Sequence, residues 1–314
     1  MTSSTKPSEC AAAFSAALLE RGVEDERIVI VINDSAETHF ATEFATRFPE
    51  RVFDVGIAEQ NMVGVAAGLT NAGRVPFVHS ASCFLTARAM EQIKADVAYA
   101  NANVALCGFV SGLAYGALGG THHSTEDLAW MRAIPNLRVM APATANDSAA
   151  AARALAAHEG PAFVRVISKT LVPEIFPREH EFVLDRALTV REGSEVTLIG
   201  TGLGTTRLLG AAEILTAAGI EARVVHMGTV SPIDAEAVAS AAAETGRIVV
   251  AEDHVVSGGL GGAVAEAVVQ SQPVPMLLLG VPDSFAPIGP AEWLHEHFGL
   301  TAERLAERIT EWLG

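Results

Sequence analysis

The sequence predicts an α/β protein built from two doubly wound sheet domains. Short β-branched runs such as Arg27 to Ile32 (RIVIVI) are apolar on both faces, as strands buried within a parallel sheet are. Helical stretches rich in Ala and Gly alternate with these runs along most of the chain, which is the pattern of a sheet covered by helices on both sides. The alternation stops over Lys169 to Ala187, where Pro173 and Pro177 sit among mixed charges, and then restarts. The expected domains are therefore residues 1–185 and 186–314, with a linker at the break.

Each element has a local reason. Ala11 to Arg21 reads as an opening helix closed near Gly22, and RIVIVI as the first buried strand. Ile57 to Leu69 is expected to be helical, with small residues that permit close packing. Then follow Val75 to His79 (strand), Thr86 to Tyr99 (helix), Asn103 to Phe109 (strand), Ser124 to Ala133 (helix), Leu137 to Ala141 (strand), Ala145 to His158 (helix) and Ala162 to Ile167 (strand). Beyond the linker the strands are Glu195 to Gly200, Ala222 to His226, Arg247 to Ala251 and Val274 to Leu279. The helices between and after them are Thr205 to Ala218, Ile233 to Glu244, Gly258 to Gln270 and Thr301 to Trp312. Gly200, Gly202 and Gly204 follow a strand and precede a helix, but their spacing is not that of a dinucleotide loop, so they read as a tight turn. No internal repeat or low-complexity tract interrupts this order.

Composition narrows the function. Half of the 314 residues are hydrophobic and 18% are charged, enough apolar material for a large core. The formal charge of −16 argues against nucleic acid as a partner, which would require a basic face. Cys10, Cys83 and Cys107 cannot all pair and match no zinc spacing, which suits a reduced cytosolic compartment. The polar opening, Met1 to Glu9, is no signal peptide, and no apolar run approaches the roughly 18 residues of a membrane helix. The expectation is a soluble cytoplasmic protein that does not engage a membrane.

The most informative stretch is Arg51 to Leu69, RVFDVGIAEQNMVGVAAGL, in which Glu59, Gln60 and Asn61 open an otherwise apolar helix. A carboxylate there either answers the positive helix terminus or has a function. GIAEQNM resembles the signature of the pyrimidine-binding domain of transketolases. The resemblance implies that Glu59 hydrogen-bonds the aminopyrimidine ring of thiamine diphosphate and favours the imino tautomer that takes up the thiazolium proton. Such a relay needs a carboxylic acid in a dry site. Ile57, in the same motif, is expected beside the cofactor.

The resemblance extends over nearly the whole chain. Pro76 to Lys94 is similar to the next family segment and implies that Phe84 stacks on the pyrimidine. Ala81 and Ala87 stand where aromatic residues are common, which implies a wider pocket; Arg88 matches a family arginine and is a candidate for substrate or for an ion pair. GGTHHSTEDLAWM (Gly119 to Met131) brings His122 and His123 to what reads as a helix start capped by Ser124 and Asp127. The resemblance gives His122 polar contacts with the donor sugar, and His123, which replaces a common Gln, is a second candidate for a substrate contact. Ala117 and Leu118 stand where an acidic residue contacts a donor hydroxyl, and Val110 aligns near a histidine that meets acceptor phosphate. The usual pentose phosphates are therefore not the expected substrates. VTLIGTGLG, VVHMGTVSPID, VVAEDHVVSGGLGGAVAEAV and GVPDSFAPIG resemble the transketolase C-terminal domain, a domain of assembly, and Glu252, Asp253 and His254 are expected at an interface.

No Gly-Asp-Gly occurs in the sequence, whereas a complete transketolase uses that motif to hold the diphosphate through a divalent metal. The chain opens where the pyrimidine domain opens, so it resembles the C-terminal section of a split, two-subunit transketolase. The resemblance implies an N-terminal-section partner bearing the motif, Mg2+ or Ca2+ held mainly by that partner, no metal ligands in this chain, and an α2β2 assembly. The implied reaction moves a two-carbon ketol unit from a ketose or ketose phosphate to an aldose. Two rivals remain: the beta chain of a pyruvate-dehydrogenase-type component that transfers an acyl unit, and a non-catalytic assembly subunit.

Overall fold

Two α/β units follow one another, and their cores merge. The computed structural model describes residues 8–34, 36 and 40–314. Along the first unit run β1 (Ser8–Glu9), β2 (Ile28–Ile32), β3 (Val52–Asp54), β4 (Val75–Ala81), β5 (Ala105–Phe109), β6 (Arg138–Met140), β7 (Ala162–Val166) and β8 (Leu171–Val172). The later strands are β9 (Leu188–Arg191), β10 (Val196–Gly200), β11 (Ala222–His226), β12 (Thr229–Ser231), β13 (Ile248–Val255) and β14 (Met276–Val281).

A seven-stranded sheet has the order β12-β6-β7-β5-β4-β2-β3, parallel except at β12. A five-stranded sheet has the order β14-β13-β10-β11-β9, parallel except at β9. Every residue of β2, β4, β5, β7 and β10 is buried, because helices cover both faces. Phe14, Phe77, Phe109 and Phe163 are among the largest fully buried side chains. Each contributes about 1.5–3 kcal/mol by leaving water. The alanine faces of the Cys10–Glu24 and Ala145–Ala157 helices lie against each other, since short side chains let the axes approach.

The units are joined by both chain and core. β12 comes from the second half of the sequence yet pairs with β6 of the first sheet. Leu113, fully buried, packs into the second unit's core. Gly112 beside it has φ +61°, and a Cβ there would lie 1.9 Å from Asp253 Oδ2, so only glycine fits this approach. Arg165 donates to Asp127 and to the backbone carbonyls of Ser124 and Asp253. Asp253 lies against His295 at 3.3 Å. Asp253 and His254 thus end β13 against the first unit, where the amide of Ala129 meets His254, while Glu252 turns back to accept from the amides of Leu260 and Gly261 in its own unit.

The local reading is corrected at several ends. The helix expected from Ser124 begins at Asp127, and Ser124 Oγ donates to the Asp127 carboxylate instead of capping an amide. The buried Arg165 explains the change: it draws in Asp127 as counter-ion, and Ser82 Oγ donates to the same oxygen at 2.6 Å. The helix expected from Thr86 to Tyr99 is three pieces, Ser82–Arg88, Met90–Gln92 and a wider π-helical stretch, Ile93–Tyr99. The helix expected from Ile57 starts at Glu59, and β4 runs on to Ala81. β9, β12 and the short Thr42–Arg47 and Ala291–His297 helices had no clear sequence signal. The glycine turn after β10 is tight as expected: a Cβ on Gly204 would lie 2.3 Å from Ala251 O.

Candidate functional site

Ligand sites in open α/β sheets lie beyond the carboxyl ends of parallel strands, and the candidate residues gather there. Asn33 follows β2, the Glu59–Asn71 helix follows β3, and the Ser82–Arg88 helix follows β4. Glu59 is the first residue of its helix, where the dipole favours a carboxylate, and it is 3% exposed. Asn33 Nδ2 donates to Glu59 Oε1 at 2.8 Å, and Arg88 Nη1 donates to both carboxylate oxygens at 3.0 Å. Asn33 Oδ1 is buried without a hydrogen-bond partner.

Arg88 and Phe84 are four residues apart on one helix, which puts them on the same face. The guanidinium carbon lies 4.2 Å from the Phe84 ring centroid. His122 meets Phe84 edge-on at 5.1 Å and Tyr115 at 5.3 Å, and Lys169 Nζ lies 4.7 Å from the Tyr115 centroid. The result is an unbroken row: Glu59, Arg88, Phe84, His122, Tyr115, Lys169. A cavity of about 620 Å³ opens at its Glu59 end, lined by Ile57, Ala58, Glu59, Gln60, Asn61 and Arg88. Ile57 is 75% exposed at its rim.

The two adjacent histidines part company. His122 is half-buried, and its Nδ1 is 2.8 Å from Thr121 Oγ1, which leaves Nε2 for another partner. His123 turns inward, buried, with Nε2 donating to the Gly116 carbonyl at 3.0 Å, so it braces the loop. Leu118 and Ala117 are exposed on that loop. Val110 is fully buried in the first unit's core, so its side chain is not at the site. Ala81 is buried as the last residue of β4, and Ala87 is exposed.

The three cysteines are free and buried, and burial pushes the Cys10 and Cys83 thiols up to about 12, so they are not nucleophiles. Among the described residues, no group of three or more His, Cys, Asp or Glu could hold a metal ion. No helix among them is long and apolar enough to cross a membrane. A separate cleft of about 650 Å³ lies by the linker, around Asp147, His180 and His226, and shares no residue with the row above.

Asn33, Tyr115 and Lys169 were not singled out from sequence. Asn33 had a usable signal, as the first polar residue after the RIVIVI strand; Lys169 had none, since its place depends on a backbone turn with φ +59°.

A model of the transketolase pyrimidine binding domain matches residues 6–173, and one of the transketolase C-terminal domain matches residues 185–305. The chain is 41% identical over 297 residues to the 6-deoxy-6-sulfo-D-fructose transketolase subunit of Clostridium sp. (strain MSTE9), covering 94% of this chain and 92% of that one. It is 37% identical over 305 residues to one of the subunits of the apulose-4-phosphate transketolase of Phocaeicola vulgatus, covering 97% of each. A solved split-gene transketolase, described as an inactive beta4 tetramer, superposes with a TM-score of 0.88 at 38% identity, covering 97% of this chain and 98% of that one.

Proposed function

The chain belongs to the transketolase family, as a transferase subunit of the split kind, and we propose that Glu59, Phe84 and Ile57 receive the pyrimidine end of thiamine diphosphate. Family membership implies that cofactor at the pyrimidine-binding domain. The observation that carries the placement is a carboxylate only 3% exposed that nevertheless borders a cavity, with the unpartnered Asn33 Oδ1 beside it. These residues fit an aminopyrimidine: an acid to share a proton, an aromatic face to stack on, and an apolar rim. Bound thiamine diphosphate would supply the nucleophilic carbon and electron sink for moving a two-carbon ketol unit from a ketose to an aldose.

This chain's residues do the rest of the positioning. Asn33 holds Oε1 of Glu59, and Oε2, which here accepts from Arg88, would share a proton with the ring once Arg88 gives way. Phe84 presents its face, and His122, oriented by Thr121, offers Nε2 to a donor hydroxyl. His123 holds the loop through Gly116 and does not touch substrate. Arg88 and Lys169 place two cations along the row in a chain of charge −16, which suits an anionic sugar. Relatives that act on 6-deoxy-6-sulfo-D-fructose and apulose 4-phosphate support an anionic donor other than the usual pentose phosphates, as Leu118 suggests.

A separate N-terminal-section subunit with a Gly-Asp-Gly motif would hold the diphosphate and its Mg2+ or Ca2+, in an α2β2 assembly in the cytoplasm. We place the domain boundary at 185/186, just inside the second matched model, which begins at residue 185. Calorimetric titration with thiamine diphosphate and magnesium tests this division. Weak binding by the chain alone and a gain on adding the partner are expected. Micromolar affinity without a partner contradicts the split site.

A further inference from the structure

The groups that would grip the pyrimidine are gripped already, by a side chain of the same molecule. Arg88 offers a flat cationic group with N–H donors. Nη1 bridges both oxygens of Glu59 at 3.0 Å, and the guanidinium lies over Phe84 at 4.2 Å. These are the two contacts, hydrogen bonding to the carboxylate and stacking on the aromatic face, that the proposed function gives to the aminopyrimidine. Ring and guanidinium cannot occupy them together.

The two ends of the arginine differ in a telling way. The Glu59 side chain is 2% exposed and that of Arg88 is 49% exposed, so the acid is fixed while the arginine has open solvent to swing into. Asn33, by contrast, is 6% exposed and has no such exit. Its Nδ2 donates to Glu59 Oε1, and its Oδ1 has no partner. A buried amide oxygen left unpaired costs free energy, and a donor on an entering ligand, or the proton of Glu59 itself, would satisfy it.

We propose that Arg88 is a built-in occupant of the pyrimidine seat, keeping Glu59 and Phe84 in working position until the cofactor displaces it, while Asn33 stays as the fixed positioning residue. The proposal rests on the function argued above. It explains how the buried Glu59 carboxylate avoids standing unpaired, since an isolated buried charge is costly. Its consequence is a lowered apparent affinity, because only the fraction of molecules with the seat open can bind. If the seat is closed nine-tenths of the time, affinity falls about tenfold.

The test is thiamine diphosphate affinity, by calorimetry with magnesium, of the chain reconstituted with its partner, in wild type and in Arg88→Met, Arg88→Lys, Asn33→Ala and Glu59→Gln. Arg88→Met keeps an apolar cover on Phe84 and cannot bridge the carboxylate. It is expected to bind the cofactor roughly three- to tenfold more tightly. Arg88→Lys, which keeps the charge but not the flat stacking group, should fall between wild type and Arg88→Met. Asn33→Ala should lower kcat while the sugar KM and the unfolding midpoint stay unchanged, a split that a structural role alone would not give. Weaker cofactor binding in Arg88→Met, or equal binding, overturns the occupant while Glu59→Gln still loses turnover. Normal turnover in Glu59→Gln instead overturns the function on which the proposal rests, whatever Arg88→Met does.

Discussion

Two carboxylate–arginine pairs in the first unit use the same chemistry for different ends. Asp127 and Arg165 meet at 3.0 Å with side chains 0% and 5% exposed, enclosed by Ser82, Ser124 and the backbone of Asp253. Glu59 and Arg88 also meet at 3.0 Å, but there the arginine is 49% exposed and a cavity borders the acid. A pair closed on every side is a joint: it fixes the loop of His122 and His123 against the second unit. A pair with one half-exposed partner beside a cavity can serve as a site, because that partner has room to be exchanged. Burial of the acid does not separate the two cases. The exposure of its partner does.

Substitution should break this symmetry. Arg165→Met leaves the Asp127 charge buried and unpaired, which is expected to cost about 3–5 kcal/mol. Arg88→Met leaves Glu59 with the Asn33 hydrogen bond and a bordering cavity through which water can reach it, so it should cost clearly less than Arg165→Met. Denaturant unfolding of the two variants under one set of conditions measures the difference, and equal losses would erase the distinction drawn here.

Acid should attack the closed region first. Burial alone would raise the Asp253 carboxyl, but His295, Arg165 and Arg207 outweigh it and hold it below its ordinary value. Asp147, beside the linker cleft, behaves likewise: burial would raise its carboxyl, and His226 and His180 outweigh that and hold it well below its ordinary value. A depressed carboxyl contributes stability that is complete above its unfolded pKa, roughly 3.9, and is lost as pH falls through the folded value. The urea midpoint should therefore decline as pH is lowered from about 5 toward 2. Asp253→Asn should start less stable and decline less steeply. A midpoint that holds steady across this range would show that these carboxyls are not the acid-sensitive joint.

A smaller effect concerns specificity on the open side. Leu118, 53% exposed on the loop before His122, cannot accept a hydrogen bond from a donor hydroxyl. Leu118→Asp should move preference toward xylulose 5-phosphate by about 1–3 kcal/mol, read as the ratio of kcat/KM between donors. If xylulose 5-phosphate is already the best donor of the wild type by a wide margin, Leu118 does not set specificity.

The open region was the more legible in the sequence. Glu59, Phe84, Arg88 and His122 were all named from motifs, and the structure places them in one row, because local strand–helix punctuation fixes where each side chain emerges. The closed region was misread. Ser124 and Asp127 have the spacing of a helix cap, and nothing local announces that Arg165, 38 residues later, claims the carboxylate. The pairing of β12 with β6 was invisible for the same reason, since it joins segments far apart in the chain. His123 is bound to Gly116 by a loop whose course depends on the second unit, so its neighbour's role did not carry over to it.

The central claim is that Glu59 is the working carboxylate and Asp127 the structural one. Turnover of the reconstituted enzyme, set beside the unfolding midpoint, tests it in Glu59→Gln and Asp127→Asn. Glutamine can still accept from Asn33 and Arg88 but cannot relay a proton. Glu59→Gln should therefore lose about a hundredfold or more in kcat with its unfolding midpoint nearly unchanged. Asp127→Asn should lose stability foremost, and retain turnover in whatever fraction stays folded. Turnover of Glu59→Gln within a few-fold of wild type would contradict the account.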